Sequence, residues 1–352
     1  MPNWLKTMQQ TFEYYIVDPG TWKDARPIKN VISSKVDRDE DSETKGSFTM
    51  AVNEPLGECY VRVYLITIQN GVKEKHPLGT FLVQTPSYGF DGKVRSVNLD
   101  AYTPLLELKE NKPPLGYSIL EGQNIMDIAY KIIRENVRAP ISPITDKETL
   151  YRDFVANVED TWITFVNDLI ANAKYKLGLD ELGRIIFLPI QDSASLQPIW
   201  TFDDSNSSIL HPKIDLKQDL YGIPNAVEVI YSNGNDNFYA KVTNDDPNSP
   251  ISTVNRGREI VHRETNPNTL GRPTKLQIEQ YAQQLLKQLS CLEYKVTYTH
   301  GYCPVRVGDC VRLNYERAGI KNVKARVVSQ SIKCEPGCPV TETAVFTDRL
   351  WG

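Results

Sequence analysis

The residues from Pro273 to Ile332 constrain the fold of this chain most, because their apolar pattern changes period partway along. Thr274 and Gln277 form a capping-box pattern, which marks the first turn of a helix. Apolar residues then recur every three or four positions, which predicts an amphipathic helix over residues 274–289. The apolar stripe consists of Ile278, Ala282, Leu285 and Leu289. After this helix the period becomes two, and that alternation predicts a series of β-strands.

The predicted strands are interrupted at Gly308 and Asp309, which separate two short apolar runs. Glycine permits a positive φ, and an aspartate side chain can accept hydrogen bonds from the backbone amides that follow it. We therefore predict that Gly308 and Asp309 form a structural turn. Neither the helix nor the strands around this turn carry a catalytic pattern.

The N-terminal part, residues 11–108, carries almost only β signals. Asn70-Gly71 is the favoured type I′ hairpin dipeptide, and Asp91-Gly92 repeats the signal. Several short strands joined by hairpin turns predict a barrel or a sandwich. The acidic run Asp37–Glu43 is predicted to be a solvated loop tip, with a cation site or a partner-binding patch as the alternative.

The middle of the chain changes character after Pro113-Pro114. Two helical stripes follow. The first is ended by Pro140, and the second starts near Asp160, which is a favourable N-cap residue. A predicted hairpin with its turn at Asp180–Gly183 comes next. Two helices and a hairpin predict a small α+β module between two β-rich parts.

Length and charge exclude several classes of protein. A chain of 352 residues suits two or three domains at about 150 residues each. The formal net charge of −4, from 40 Lys+Arg against 44 Asp+Glu, argues against a dedicated nucleic-acid-binding protein, which would carry a basic face. No stretch approaches the roughly 18 apolar residues of a membrane span. The N-terminus lacks the basic and apolar regions of a secretory signal, so we expect folding in a cytoplasm.

The sequence contains no nucleophile elbow, zinc-protease helix, P-loop or dinucleotide-binding fingerprint. Of the four histidines, His262 and His300 fall in or beside predicted strands, where a packing role is expected. His300 with Cys303 or Cys310 imitates a thiol-protease pair, yet residues this close on adjacent strand positions are not expected to assemble one. We predict no catalytic residue and no cofactor.

The six cysteines leave two alternatives to free thiols open. Cys334 and Cys338 are separated by three residues, as zinc-ligand pairs can be, whereas the six residues between Cys303 and Cys310 fit that pattern poorly. Free thiols are the favoured interpretation. A structural metal site or a disulfide is the alternative.

Three arginines, Arg256, Arg258 and Arg263, cluster with His262 just after the polar, proline-rich segment Asp245–Pro250. Arginine forks pair with carboxylates in a bidentate manner, so we predict that these four residues lie at a subunit interface. The alternative is a solvated strand face. The polar segment itself is predicted to be a loop that reaches toward a neighbouring subunit.

Four segments of the chain occur in an order that resembles a known family. They are Gly257-Arg258, the helix Thr274–Leu289, the stretch Tyr298–Leu313 and the stretch Val327–Ile332. This order resembles the C-terminal half of phage tail proteins of the baseplate-hub type, which occur in contractile phage tails and related injection systems. The resemblance is best over residues 215–345, and the layout of residues 1–200 agrees with it.

The resemblance implies a fold class and a division into domains. It implies a mainly β protein in which two tail-tube-like β-barrels flank a small α+β module. We place the N-terminal barrel at residues 1–112, the module at 113–202 and the C-terminal barrel, with its helix, at 203–352.

The resemblance also implies a function without an active site: a trimeric ring that connects the tail tube to the spike and lines the DNA channel. Three chains would present six barrels, which suits a six-fold tube at one end and a three-fold spike at the other. The implied partners are two further copies of the chain, the tail tube or tube-initiator protein, the spike or tip protein and other baseplate proteins.

DNA would pass through the ring without specific binding. The protein would belong to the virion tail and would be assembled in the host bacterial cytoplasm. Two rival hypotheses come from other classes: a tail-associated peptidoglycan-degrading enzyme, and a tail module that binds host carbohydrate.

Overall fold

The computed structural model describes residues 2–90, 92, 95–191, 195–218, 220–232, 237–265, 267 and 273–351. The chain divides into two compact units. Unit 1 consists of residues 1–214 and 298–344, and unit 2 consists of residues 215–297 and 345–352. No helix in the described ranges is long and apolar enough to cross a membrane.

The strands and helices of the described ranges have the following bounds. The strands are β1 (Gln9–Asp18), β2 (Lys23–Ile28), β3 (Val31–Asp39), β4 (Gly46–Val52), β5 (Tyr60–Gln69), β6 (Val72–Phe90), β7 (Arg95–Tyr102), β8 (Ser118–Ile119), β9 (Phe154–Val155), β10 (Tyr175–Leu179), β11 (Ile185–Pro189), β12 (Trp200–Asp203), β13 (Leu210–Gln218), β14 (Ala226–Ser232), β15 (Asn237–Thr243), β16 (Val261–Thr265), β17 (Cys291–Gly301), β18 (Cys310–Tyr315), β19 (Ile320–Lys333) and β20 (Pro339–Arg349). The helices are α1 (Leu106–Glu110), α2 (Ile125–Asn136), α3 (Trp162–Ala171), α4 (Thr253–Arg256) and α5 (Lys275–Leu289).

A large, mostly antiparallel sheet dominates these elements, which confirms that the protein is mainly β. Its strand order is β13-β17-β20-β19-β3-β4-β7-β6-β5-β1-β2, and β18 pairs with β19 and with β12. The first half of β19 pairs with β18, and its second half, Ser329–Lys333, pairs with Lys35–Asp39 of β3. The C-terminal strands of unit 1 therefore extend the sheet that the N-terminal strands begin. The predicted division into domains after residues 112 and 202 stays a prediction.

The tight hairpin between β5 and β6 turns at Asn70-Gly71. The φ angles of these residues are 52° and 79°, and a type I′ turn requires positive φ at both positions, so the predicted hairpin is confirmed. Strand β5 lies between β1 and β6, and its residues Tyr60–Leu65 are buried on both faces of the sheet. The second predicted hairpin signal includes Asp91, which lies outside the described residues.

The middle of unit 1 contains the two predicted helices and the predicted hairpin, as α2, α3 and β10–β11. Helix α3 is capped by Thr161 rather than by Asp160, because the Thr161 side chain accepts from the Thr164 amide and forms a capping box with that residue. Asp160 instead accepts from the backbone amide of Asn157 at 2.7 Å. The core around these elements includes Leu105, Ile125, Met126, Ile133, Phe165, Val166, Leu169, Ile170, Leu177 and Ile185.

Unit 2 is built on the three-stranded sheet β15-β14-β16, with α5 packed against β14 and β15. The predicted capping box of Thr274 and Gln277 is present at the start of α5. The buried stripe differs slightly from the predicted one: Leu286 is fully buried, whereas Leu285 and Leu289 are half-buried. The fully buried helix residues are Ile278, Ala282 and Leu286. They recur every four positions, so the stripe follows one edge of the predicted apolar face.

The polar segment Asp245–Pro250 is anchored at Ser249 within unit 2, and four of its residues are exposed. The predicted contact of this segment with a neighbouring subunit stays a prediction. Buried Asn244 donates from Nδ2 to the Ser249 hydroxyl at 2.9 Å, and that hydroxyl donates to the Leu350 carbonyl at 2.6 Å. Ile251, directly after the segment, is fully buried. These internal hydrogen bonds satisfy polar groups that an extended loop would leave to solvent or to a neighbour.

Candidate functional site

A buried polar cluster surrounds Glu342 in unit 1, and the Glu342 side chain is fully buried. The Tyr298 hydroxyl donates to Glu342 Oε2 at 2.8 Å, and Gln330 Nε2 donates to Oε1 at 2.5 Å. His300 Nε2 lies 3.2 Å from Oε1, which is an ion-pair distance, although the two atoms are poorly aligned for a hydrogen bond. Arg38 Nη1 donates to Gln330 Oε1 at 3.0 Å. We call these five residues the Glu342 cluster.

Strand alternation places the cluster in the core. Tyr298 and His300 lie two residues apart on β17, and Glu342 is in phase with buried Val340 and Ala344 on the neighbouring strand β20. Burial, together with the adjacent carboxylate, raises the pKa of the Tyr298 hydroxyl well above its ordinary value, so this group stays a hydrogen-bond donor. Glu342 is not among the site residues predicted from the sequence. The sequence signal for it is a carboxylate at a strand position where the alternation of side chains otherwise places apolar residues.

Although these residues were not expected to assemble a thiol-protease pair, the structure brings Cys303 Sγ within 3.8 Å of His300 Nδ1. Because Glu342 faces the other ring nitrogen, the order of groups is thiol, imidazole and carboxylate. Cys303 is only 2% exposed, and burial raises the pKa of its thiol far above the ordinary range. A nucleophilic cysteine needs a thiolate and access for a substrate. This arrangement therefore packs the core.

All six cysteines are free thiols. The described ranges hold no group of three or more His, Cys, Asp or Glu residues arranged to bind a metal ion. Burial raises the pKa of Cys334 to about 11 and raises that of Cys338 further. At neutral pH these two thiols are protonated and act as packing groups.

A cleft of about 270 Å³ lies beside the acidic run in unit 1. Glu40 at its edge forms ion pairs with Lys176 and Arg326. Burial alone would raise the pKa of Glu40, but these two cations outweigh burial and hold the pKa below its usual range. The predicted solvated loop tip is wrong for this part of the run, because β3 continues through Asp39 and the next carboxylate is held by two cations.

The β10–β11 turn next to this cleft is held against the main sheet by one backbone carbonyl. The Leu182 carbonyl accepts from Trp22 Nε1 at 2.8 Å, from Thr80 Oγ1 at 2.9 Å and from Arg62 Nη2 at 3.2 Å. Gly183 follows with a φ of 77°, and a Cβ there would lie 2.7 Å from Thr80 Cβ. Close approach and left-handed backbone together require glycine at this position.

Gly308 and Asp309 lie in a turn that precedes β18. Gly308 has a φ of 96°, and its amide donates to the Val327 carbonyl at 2.8 Å. Asp309 Oδ2 accepts from the amide of Arg306, which precedes it, at 2.8 Å, rather than from a following amide. The turn thereby ties the start of β18 to β19.

The four predicted interface residues lie together in unit 2, on and just before β16. Arg256 donates to two backbone carbonyls at 2.8 and 3.2 Å, and Arg263 donates two hydrogen bonds to Glu228 Oε2, at 2.9 and 2.7 Å. These two guanidinium groups are engaged inside the unit. Arg258 and His262 are exposed, and within the described ranges no carboxylate lies within 4 Å of Arg258. Their place at a subunit interface stays a prediction.

No protein-family model and no curated protein matches the sequence. Solved structures do match. The tail protein from Neisseria meningitidis MC58 is similar with a TM-score of 0.65 and 12% identity, over 97% of this chain and 98% of that chain. The 43 kDa tail protein of prophage MuSo2 from Shewanella oneidensis gives a TM-score of 0.65 at 12% identity, over 95% of this chain and 98% of that chain.

A third match is prophage tail protein gp18 from Listeria monocytogenes EGD-e, with a TM-score of 0.52 and 12% identity, over 97% of this chain and 95% of that chain. The three matched chains come from different bacteria, and each is covered almost completely. The resemblance to phage tail proteins that the sequence indicates is confirmed at the level of the fold.

Proposed function

We propose that this chain, which has the fold of phage tail proteins, is a structural hub protein of a phage tail or a related injection apparatus. In this role three copies form a ring that joins the tail tube to the spike and surrounds the channel through which DNA passes. The partners are the tail tube or its initiator, the spike or tip protein and other baseplate proteins. The ring assembles by burial of matched surfaces and performs no chemical turnover.

The observation that carries this proposal is the completeness of the match in both directions. The similarity extends over 97% of this chain and 98% of the Neisseria tail protein, so the tail-protein fold accounts for nearly all 352 residues. A separate lytic or receptor-binding domain would need on the order of 100 residues of its own. The proposed role therefore belongs to the shared fold.

The chemistry of unit 1 supports a structural role over the peptidoglycan-degrading alternative. The thiol–imidazole–carboxylate arrangement is buried, and its thiol is held in the protonated form. Glu342 accepts two hydrogen bonds from the core instead of facing a cleft. Groups that are buried in this way cannot meet a polymeric substrate. Their hydrogen bonds stabilise the fold instead.

Copy number in purified tails tests the proposal. Quantitative mass spectrometry of tails assembled with this chain is expected to find three copies per tail, and light scattering of the isolated ring is expected to give three times 40.0 kDa. Charge reversal at the exposed arginine, Arg258→Glu, is expected to weaken the ring, whereas the matched control Lys321→Glu, also exposed, leaves it intact. Absence of the chain from tails, or a copy number that is not three, contradicts the proposal.

A direct assay distinguishes the lytic alternative from the structural role. The purified chain is expected to leave a peptidoglycan-containing gel unchanged after electrophoresis and renaturation. A clearing band that disappears in the Glu342→Gln variant would instead assign a lytic activity to the core cluster.

One surface feature favours the carbohydrate-binding alternative as a second candidate. Tyr88 and Phe90 are 67% and 69% exposed, and their alternation on β6 places them on the same side of that strand. Exposed aromatic rings offer flat apolar faces to a sugar ring. If this candidate holds, binding to host polysaccharide is lost in Tyr88→Ala and Phe90→Ala but kept in the control Tyr221→Ala. A chain that binds no host polysaccharide excludes it.

A further inference from the structure

The middle of unit 1 carries a short antiparallel ribbon whose outer face is unusually apolar. We call residues 115–124 and 149–158 the module ribbon. Strands β8 and β9 pair Ser118 with Val155, and the bridge between Asn124 and Thr149 continues the same register. A hydrogen bond from the Ala156 amide to the Tyr117 carbonyl, at 2.9 Å, continues it in the other direction.

The inner face of the module ribbon is fixed to a core. Ile119 and Leu150 are each only 3% exposed, and Phe154 packs beside them in the same apolar cluster. Phe154 also lies 5.1 Å from the Phe165 ring of α3. The side chains on the outer face are therefore displayed from a rigid support and not from a flexible loop.

The outer face presents three large apolar side chains in a row. The register sets Leu120 opposite Asp153, so Tyr151 and Val155 are its two diagonal neighbours on the partner strand. Leu120 is 60% exposed, Tyr151 69% and Val155 56%. The flanking residues Leu115 and Val158 are exposed as well.

Leu120 projects from this row. Its neighbours two positions away along the chain are Ser118 and Gly122, which are small. A projecting leucine between two small residues has the shape of a knob, which fits a pocket on another surface. Apolar groups of this size, fixed on a rigid face and left in water, mark an interaction surface.

The charges around the knob identify the chemistry of its partner. Four acidic side chains on and beside the ribbon are exposed, against three basic ones. The acidic residues are Glu121, Glu148, Asp153 and Glu159, and the basic residues are Lys112, Lys147 and Arg152. Lys112 pairs with Glu159 at 3.7 Å. The Arg152 guanidinium lies 5.4 Å from the centre of the Tyr151 ring, so one of the three positive charges is placed over the apolar row.

We propose that the module ribbon is a docking surface for a different tail protein, which presents an apolar pocket bordered by lysine or arginine. Charge complementarity supports this partner, because a basic border pairs with the acidic rim and steers association. A second copy of the ribbon would bring the same excess of acidic side chains to the contact. The inference rests on the proposed tail function, which supplies the partner's class.

Site-specific photo-cross-linking in assembled tails tests the inference. The full chain carries p-benzoylphenylalanine in place of Leu120, and a control chain carries it in place of Tyr221, an exposed residue of unit 2. Position 120 is expected to cross-link to another tail protein, within a peptide that contains apolar residues and Lys or Arg. We expect a yield about tenfold above the control.

A charge-reversal variant provides a second arm. Glu121→Lys combined with Asp153→Lys is expected to lower the cross-link yield about tenfold, because like charges then meet across the contact. The control Glu335→Lys, an exposed site away from the ribbon in sequence, is expected to leave the yield unchanged. Equal melting temperatures of the variants and the unmodified chain show that a lost cross-link does not reflect unfolding.

The outcomes separate this inference from the proposed function. If the tails contain three copies of the chain, yet position 120 cross-links only to another copy or no more than the control does, the docking inference is overturned and the hub proposal stands. An unchanged yield after charge reversal also overturns it. If the chain is absent from tails, the hub proposal fails, and the inference that rests on it fails too.

Discussion

Replacement of Glu342 by leucine tests how much the buried cluster contributes to unit 1. The carboxylate accepts from Tyr298 at 2.8 Å and from Gln330 at 2.5 Å, and His300 lies at ion-pair distance. Leucine removes both acceptor oxygens. The Tyr298 hydroxyl is then left without its partner, while Gln330 Nε2 keeps the Val305 carbonyl at 2.8 Å.

The magnitude follows from these contacts. A buried donor left without an acceptor costs about 1–3 kcal/mol. We therefore expect Glu342→Leu to lower the free energy of unfolding of unit 1 by about 1–3 kcal/mol. Glu342→Gln keeps one acceptor oxygen, so its loss is expected to be smaller.

The assay is urea unfolding followed by pulsed hydrogen exchange, since exchange peptides report unit 1 and unit 2 separately. The exposed control Glu335→Leu is expected to change stability by less than about 0.5 kcal/mol. Tyr298→Phe in the Glu342→Leu background removes the stranded hydroxyl and is expected to recover part of the loss. If Glu342→Leu costs less than about 1 kcal/mol, or if Tyr298→Phe recovers nothing, the assigned role of the cluster is refuted.

Three further perturbations follow from the described contacts. Gly183→Ala is expected to lower the free energy of unfolding by about 1–3 kcal/mol more than the control Gly116→Ala does. Both glycines have φ near 75°, but only Gly183 faces Thr80. Equal losses of stability in thermal unfolding would contradict the close contact. The pKa of Glu40 is lower in the folded protein than the ordinary value of 4.5, which applies to the unfolded chain. Glu40 therefore stabilises the fold above pH 4.5, and this stabilisation is lost as the pH falls below that value. Amides of β10 are therefore expected to lose protection from exchange in acid, relative to their intrinsic exchange rates at the same pH. Glu40→Gln is expected to remove most of this pH dependence, and a variant that keeps it would argue against the ion pairs. Finally, burial raises the pKa of the Cys303 thiol, so iodoacetamide at pH 8 is expected to leave this thiol unmodified in the folded protein and to label it only after urea is added. Prompt labelling of the folded protein would show that the core admits solvent.

Local elements could be predicted from the sequence because their determinants lie within a few residues. The Thr274–Gln277 capping box spans three positions, and the Asn70-Gly71 turn needs only two residues that tolerate positive φ. The helices and hairpin in the middle of unit 1 follow from the period of their apolar residues. The resemblance to phage tail proteins rests on the order of such elements along the chain.

The tertiary structure alone decided which distant residues meet. The acidic run was predicted to be solvated because its partners are invisible locally: Lys176 lies 136 positions from Glu40, and Arg326 lies 286 positions away. Arg38 and Gln330 of the Glu342 cluster are 292 positions apart, and they meet because β3 pairs with β19. The periodicity of the sequence indicates which face of a strand is buried, but it does not indicate which other strand pairs with it. Strand pairing is decided by backbone hydrogen bonds and core packing across the whole unit. The same packing decides which neighbours surround a charged side chain, and therefore whether that charge can be buried.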